Sequence, residues 1–409
     1  MQVAWLEYVN AFRSVLRQYR RSLFGISAVT FGVVALILAA GFIEWIFWAT
    51  REGNIQNGLG HIHVMRPGYL RDGHADPWNY LLSQDSGVNR ALRRLPTVRT
   101  VAPRLEFSGL ISHGDATLSF TGEGVSPEQE REVSRTLTIA AGQNLSSDDP
   151  NGILLGRGLA TNLGVNVGDA VVLLANTAVG SMNGVEGNVR GLFNTVSKAY
   201  DDSALRVPLP MAQQLMRVSG AHRWILVLDH TDQASKMTFT LQKKFGDHNL
   251  EFIPWYEMAD FYNKTVALLS AQINVVKLII AGIIMLSISN TMMMSVLERT
   301  SEIGTCMAVG RRRRQILRQF VYEALTIGII GGALGMCLGV LSAVLISKVG
   351  IPMPPPPGMS QGYTGEIMVT SRLAIEAFLL AIGTSLLASA YPAWRASRME
   401  IVDALRHNR

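Results

Sequence analysis

Four long apolar stretches enclose one large polar segment, and few folds accommodate that arrangement. Residues 22–43 carry no charged side chain, and residues 278–297, 324–347 and 377–394 repeat the pattern. A helix needs about 20 apolar residues to cross the hydrocarbon core, because unpaired backbone groups are not tolerated there. Between the first two stretches runs a mixed, Gly-rich, strand-forming sequence. The order is one span, a folded domain, then three spans close together. The expected fold is an α+β membrane protein: four transmembrane helices, with a large periplasmic α+β domain inserted between helices 1 and 2.

The net charge of +6 is concentrated in three places. Arg13, Arg17, Arg20 and Arg21 precede the first span, and Arg299, Arg311, Arg312, Arg313, Arg314 and Arg318 lie around the connection between spans two and three. Arg395, Arg398, Arg406 and Arg409 follow the fourth. The connection between spans three and four holds only Lys348 and Arg372, at its edges. Lys and Arg gather in short cytoplasmic loops. Both termini and the second connection are therefore expected inside, with the insert outside. In a bacterium this means a multi-pass protein of the inner (cytoplasmic) membrane. The basic excess is a topology signal, and no nucleic-acid partner is expected.

No small-residue cleavage site follows the first apolar stretch, so it reads as a retained signal anchor rather than a signal peptide. Cys306 and Cys337 fall in the second connection and the third span. The exported domain therefore has no disulfide framework and relies on its own core.

The expected divisions are a cytoplasmic amphipathic N-terminal helix over 1–21, spans over 22–48, 270–297, 321–347 and 373–394, and a periplasmic domain over 49–265. A cytoplasmic loop over 298–318, a periplasmic Pro-rich loop over 348–371 and a cytoplasmic tail over 395–409 complete the chain. Val3, Leu6, Phe12, Val15 and Leu16 recur at helical spacing opposite Arg13, Arg17 and Arg20, which fits a helix lying on the inner membrane surface or an extension of the first span. In the insert, residues 153–155, 171–174, 205–207, 224–228 and 251–253 read as strands, and 157–163, 211–218 and 234–245 as helices. Residues 126–149 are polar and read as a small lobe or a long insertion. Pro352 and Pro354 to Pro357 should form stiff polyproline.

Catalytic signatures are weak. There is no G-x-x-x-x-G-K-[ST] phosphate loop. Gly156-Arg157-Gly158 is followed by Thr161 where a dinucleotide fingerprint wants glycine. His61 and His63 would share a strand face and could chelate a metal, but a third ligand is not evident and two surface histidines explain the spacing more simply. Asp148-Asp149 and Asp201-Asp202 read as turn residues. No catalytic residue, no metal site and no cofactor bound by this chain are expected, so the chain is not read as an enzyme.

The spans say more. Gly331, Gly335 and Gly339 fall four apart, with Gly328 and Gly332 alongside, giving a face that lets another helix approach closely. The partner helix could belong to this chain or to a second copy. Glu44, Lys277 and Glu376 stand near the outer ends of three spans and form a candidate gate, with interfacial snorkelling as the simpler account. After span two, Glu298, Arg299, Glu302, Ile303, Gly304, Met307, Ala308 and Gly310 build a short segment at the membrane surface. A helix over 300–309, capped by Thr300 or Ser301 and stopped by Gly310, would be a docking knob for a cytoplasmic partner. A solvated arginine-rich loop is the alternative.

Residues 298–315 resemble the "ER..EIG" signature of the MacB/LolC-LolE/FtsX superfamily of ABC transporter permeases, also called type VII. The segments Pro392-Ala393-Trp394-Arg395-Ala396-Ser397-Arg398 and Ile401-Val402-Asp403-Ala404-Leu405-Arg406 are similar to its closing motif. Residues 153–169, and Val207-Pro208-Leu209, are similar to stretches of its outer domain. The chain departs from the pattern with Ile401-Val402 where the family usually has Pro, and with Cys306-Met307 where a basic residue is common. The resemblance implies a homo- or heterodimer of permeases on a cytoplasmic ABC ATPase dimer that binds the ATP and Mg. It further implies that hydrolysis inside is turned into movement of the outer domains, termed mechanotransmission, and that the 300–309 helix couples the two. Gly60-His61-Ile62-His63-Val64 with Arg66-Pro67-Gly68-Tyr69 look most like the lipoprotein-releasing branch. That branch implies a lipoprotein-like or amphiphilic substrate with a periplasmic carrier. The alternatives are the permease of a tripartite peptide, antibiotic or siderophore exporter, which needs an adaptor, and a non-transporting scaffold that activates a periplasmic hydrolase.

Overall fold

The computed structural model describes residues 13–400 except 16, 18, 74, 85, 136, 196 and 355–361. The main helices are α1 (Tyr19–Asn54), α2 (Gly87–Arg93), α3 (Pro127–Val133), α4 (Arg157–Leu163), α5 (Leu209–Met216), α6 (Ala234–Phe245), α7 (Asp260–Glu298), α8 (Thr300–Ala308), α9 (Arg313–Val349) and α10 (Ser371–Ser397). The chain divides into two compact units. One holds Met1–Trp48, Thr265–Pro352 and Thr364–Arg409, and the other holds Ala49–Lys264 and Met353–Tyr363.

Among the described residues the first unit contains four helices, α1, α7, α9 and α10, long and apolar enough to cross a membrane. Each continues past its apolar stretch; α1 runs over 36 residues and α7 over 39. Lipid tails are as apolar as leucine, so such helices associate by close van der Waals fit rather than by hydrophobic burial. The small residues of α9 supply that fit. A Cβ built on Gly331, Gly335 or Gly339 would lie 2.7, 2.6 or 2.9 Å from Val29, Val33 or Ile37 of α1, so any larger residue would force the helices apart. Thr30 Oγ1 donates to the Gly331 carbonyl across the same contact at 3.2 Å. The other glycine pair, Gly328 and Gly332, faces Ser385 and Phe378 of α10. Both glycine faces are thus filled within the chain.

The second unit is a ten-stranded mixed sheet with helices packed on it. Its strands are β1 (Ile62–Met65), β2 (Val98–His113), β3 (Ala116–Val125), β4 (Thr138–Gly142), β5 (Gly152–Gly156), β6 (Ala170–Asn176), β7 (Met182–Asn194), β8 (Ala204–Pro208), β9 (Arg223–Leu228) and β10 (Glu251–Pro254). They run in the order β10-β1-β9-β2-β3-β8-β5-β7-β4, and β6 pairs with β2 and β7. Strands β5, β8 and β1 are buried throughout and read as unbroken apolar or mixed runs, as expected where both faces are covered. The expected helix over 211–218 begins two residues earlier and ends at Met216, because Arg217 takes a left-handed conformation with φ 55°.

Two expectations fail here. Residues 126–149 are not a separate lobe: they supply α3, and β4 pairs with β7 in the main sheet. Their polarity has a different cause, since Glu130 and Ser134 are buried partners of charges on the sheet. Pro352 is not in polyproline but in a short strand, β11 (Ile351–Met353), paired with β12 (Tyr363–Gly365). A two-stranded ribbon is all edge, so a residue without an N–H is tolerated there. Residues 355–361 and 401–409, and most of the proposed N-terminal surface helix, lie outside the described residues; 13–15 and 17 are helical.

Candidate functional site

The segment after α7 is built by its own charges. Arg299 closes α7 and places its guanidinium 2.8 Å from Glu323 of α9 and 3.2 Å from Glu302 of α8. It also donates to Ser14 Oγ at 2.9 Å. Arg17 reaches Glu302 at 3.2 Å, and Arg21 pairs with Glu298. Glu323 is 4% exposed, and a buried carboxylate persists only when paired. The network ties the N-terminal segment, α7, α8 and α9 together at one end of this unit.

On this base sits α8. It has no side-chain cap: Thr300 Oγ1 donates back to the Val296 and Leu297 carbonyls, so the expected capping by Thr300 or Ser301 does not occur. The expected stop at Gly310 does occur, with φ 100° there, and the Gly310 and Arg311 N–H groups donate to the Met307 and Cys306 carbonyls. Ile303, Gly304 and Met307 are buried and join the packed interior with Ile316 and Phe320. They seat the helix. The exposed face is Glu302, Thr305, Ala308, Val309 and Gly310, running into the exposed Arg311 to Arg314. Val309 is 85% exposed, an apolar side chain with nothing on it.

At the other end of the apolar stretches, Glu44, Lys277 and Glu376 come together. They line one cleft of about 220 Å³ with Ser270, Asn274 and Arg372. Lys277 Nζ lies 3.2 Å from Glu376 Oε2, and Arg372 Nε lies 3.0 Å from Glu376 Oε1. Glu44 is exposed and has no ion-pair partner among the described residues.

In the sheet unit His61 and His63 are buried, not the surface pair expected from their spacing. His61 is 5% exposed and both ring nitrogens are engaged: Nδ1 accepts the Leu228 N–H at 3.1 Å, leaving Nε2 to donate to Thr231 Oγ1 at 3.1 Å. Thr231 in turn donates to Glu52. Burial pushes the His61 imidazole down to about 4, against the pull of Glu52. His63 is fully buried and is held well below its ordinary value for the same reason. Among the described residues no three His, Cys, Asp or Glu gather as a metal site. Gly156 and Gly158, of the weak dinucleotide-like segment, pack against Asp201 and Asp202. Asp149 lies in a turn and pairs with Arg190 at 2.7 Å, whereas Asp201 is a buried residue ending the short helix Lys198–Asp201 and accepts from the Thr195 N–H.

Beside β2 lies a groove of about 800 Å³ lined by Tyr69, Trp78, Phe107, Phe120, Tyr200 and His222 among others. Under it is a buried set of four charges. The parallel register of β3 and β8 sets Glu123 opposite Arg206, whose Nε donates to it at 3.0 Å. Arg104 donates to Glu123 at 3.3 Å, to Glu130, and to the Gly58 carbonyl at 3.0 Å in the turn after α1. Burial alone would raise the Glu123 carboxyl; Arg104 and Arg206 overcome it and hold it at about 2.

The comparisons bear on both units. A family model described as the MacB-like periplasmic core domain matches residues 22–243, more than half of the chain. A second, the FtsX-like permease C-terminal domain, matches residues 274–401. The chain is a type VII ABC transporter permease of the MacB/FtsX family.

Among its relatives is a protein of Shewanella sp. strain ANA-3 named Macrolide export ATP-binding/permease protein MacB, 29% identical over 77% of this chain and 48% of its own length. The protein of the same name from Escherichia coli K12 is 25% identical over the same shares. That from Bdellovibrio bacteriovorus is 37% identical over 36% of this chain and 20% of its own. The chain spans about half the length of the curated relatives it matches along most of itself. The crystal structure of the periplasmic region of MacB from Actinobacillus actinomycetemcomitans covers 51% of this chain and 94% of that one, at 14% identity and a TM-score of 0.37.

For a permease of this family, sequence reasoning found the short helix but not which of its faces is free. It missed Val309 and Glu323, and in the sheet unit Trp78, His222 and the four buried charges. Glu323 carried a readable signal, being an acid abutting an apolar run. The buried Arg and Glu carried none, because their pairing depends on strand register.

Proposed function

We propose that this permease sits in the bacterial inner membrane with both termini cytoplasmic and couples a cytoplasmic ABC ATPase dimer to movement of its periplasmic domain. In this reading a second permease copy completes the assembly, and ATP and Mg reside on the ATPase. The observation that carries the proposal is α8. Its Ile303–Met307 face is sunk into the packed interior, and its Glu302–Val309 edge lies open beside four exposed arginines. A surface knob held by an ion network, in which the buried Glu323 pairs with Arg299, delivers a push on that edge to α7 and α9 together. At the far end of α1, the Glu52–Thr231–His61 hydrogen bonds and the Arg104–Gly58 hydrogen bond fasten the helix end and its following turn to the sheet unit. One helix, α1, thus carries residues of both units, as conversion of hydrolysis into domain movement requires. The ion pair of Lys277 with Glu376 would open and close as α7 moves against α10, which is the gate role for these residues with Glu44.

The substrate is proposed to be amphiphilic. The groove beside β2 offers aromatic rings next to Ser108, Ser119 and Thr121 hydroxyls, suited to a ligand with one apolar and one polar side. A lipoprotein-like cargo fits that description. The relatives' name, macrolide export, favours the exporter alternative in which a small amphiphile leaves through an adaptor.

The test is a mild-detergent purification of the tagged chain from its native membrane, with co-purifying proteins identified by mass spectrometry. An ATPase with a membrane-fusion adaptor is the export outcome; an ATPase with a lipoprotein or its carrier is the extraction outcome. Recovery without any ATPase, under conditions that keep other transporters whole, overturns the coupling reading.

A further inference from the structure

The cleft of Glu44, Lys277, Arg372 and Glu376 carries a charge pattern that its gate role does not use. Glu376 gives one carboxylate oxygen to Lys277 and the other to Arg372, so the trio has two cations and one anion. The trio's net charge is +1, and Lys277 and Arg372 keep further N–H groups to donate. Opposite stands Glu44, −1, with no ion-pair partner among the described residues and no other charged residue from 22 to 50. The cleft of about 220 Å³ is lined as well by Ala40, Ile43, Phe47, Ile273 and Leu373, with Ser270 and Asn274 among them.

All of this lies at one level of the membrane. The apolar run of α1 ends at residue 43, that of α7 begins at 278 and that of α10 at 377, so Glu44, Lys277 and Glu376 each adjoin the end of a hydrocarbon-length stretch. At 1.5 Å per residue, residues 22–43 extend roughly 30 Å, the thickness of the hydrocarbon core. The cleft therefore sits where lipid phosphates and amines are found, and its apolar wall sits where acyl chains begin. An unpaired carboxylate at that depth is costly and invites a cation.

We propose that this cleft binds the head group of a zwitterionic phospholipid bearing a primary ammonium, with the ammonium donating to Glu44 and the phosphate accepting from Lys277 and Arg372. The chemistry separates head groups. A trimethylammonium has no N–H to donate to Glu44. A phosphoglycerol has the phosphate but no cation. Of these three head groups, the aminoethyl phosphate on an acylated glycerol alone meets all three features of the cleft.

The full chain in detergent is titrated with phosphatidylethanolamine, phosphatidylcholine and phosphatidylglycerol of matched acyl chains, and with soluble phosphoethanolamine, following thermal unfolding. Phosphatidylethanolamine should reach half-saturation at about tenfold lower concentration than the other two lipids, the scale of a hydrogen bond to a charged group. Soluble phosphoethanolamine should not reproduce its effect. E44Q should bind phosphatidylethanolamine no better than wild type binds phosphatidylcholine, with its lipid-free melting unchanged. R372Q, at an 88% exposed side chain, should weaken phosphatidylethanolamine and phosphatidylglycerol together. Equal half-saturation for all three lipids on the wild type overturns the proposal, and this arm stands even if a variant does not fold. Full head-group preference in E44Q overturns it as well. A matching effect of soluble phosphoethanolamine overturns the assignment to a lipid.

Discussion

His222 shows how the sheet unit fixes the state of a titratable group. Its ring is stacked on Tyr69 with centroids 5.5 Å apart and lies 5.3 Å from Trp78, while Nδ1 accepts the Glu106 N–H at 3.1 Å. Burial lowers the imidazole to about 4, although Glu106 pulls the other way. His61 is lowered to about 4 too, and burial holds His63 well below its ordinary value. The sign of the pH dependence follows. Below the ordinary value of 6.5 the unfolded chain takes up protons on these residues while the folded chain does not. Their contribution is intact above pH 6.5 and is lost as pH falls toward about 4. Glu123, held at about 2 against an ordinary 4.5, acts in the same direction over a lower window, losing its contribution as pH falls from 4.5 to 2. Thermal unfolding of the full chain should therefore shift to lower temperature between pH 6.5 and 4, and less steeply in His222→Phe. A flat profile across that window would show that the imidazoles are not held neutral by burial. The four buried charges are equally exacting, since removing one partner of such a set costs about 3–5 kcal/mol by leaving an uncompensated charge.

At the scale of elements, the glycine face of α9 makes the sharpest prediction. Gly335→Leu places a side chain where even a Cβ would be 2.6 Å from Val33, so α1 and α9 must separate. Overpacking of this kind costs about 1–3 kcal/mol. Gly282→Leu on α7, where a new Cβ meets nothing within 4 Å, is the control and should leave the melting temperature unchanged. Equal stability of the two variants would remove the packing account. In α8, Glu302→Lys breaks the bonds to Arg17 and Arg299 and sets a third cation among them. ATP hydrolysis should persist while transport falls at least tenfold; undiminished transport would mean that the network does not carry the coupling. The elements themselves were partly legible. The four long helices, β5, α4 and α6 follow from hydrophobic period and end signals. The longest strands, β2, β3 and β7, do not, because their glycines and charged residues serve cross-strand contacts that only the assembled sheet reveals. Leu110 of β2, for example, pairs with Ser119 of β3 on one side and Leu174 of β6 on the other. The candidate gate was legible as three charges at span ends, and its Lys277–Glu376 pairing follows from α7 lying beside α10 in this unit.

For the whole molecule, the account asks one short helix to receive force and a sheet domain to respond. The residues named from the family signature divide by burial: Ile303, Gly304 and Met307 hold α8 in place, while Glu302, Ala308 and Gly310 are exposed with Val309 between them. That division is what a docking element needs, and it is testable without knowing the substrate. The decisive measurement is photo-crosslinking in native membranes, with a photoreactive residue placed in turn at Val309, at the buried Ile303 and at the exposed Leu341 of α9. The account predicts an adduct to an ABC ATPase at Val309 alone. Absence of that adduct, or the same adduct at Leu341, would contradict the assignment of α8 as the ATPase docking element.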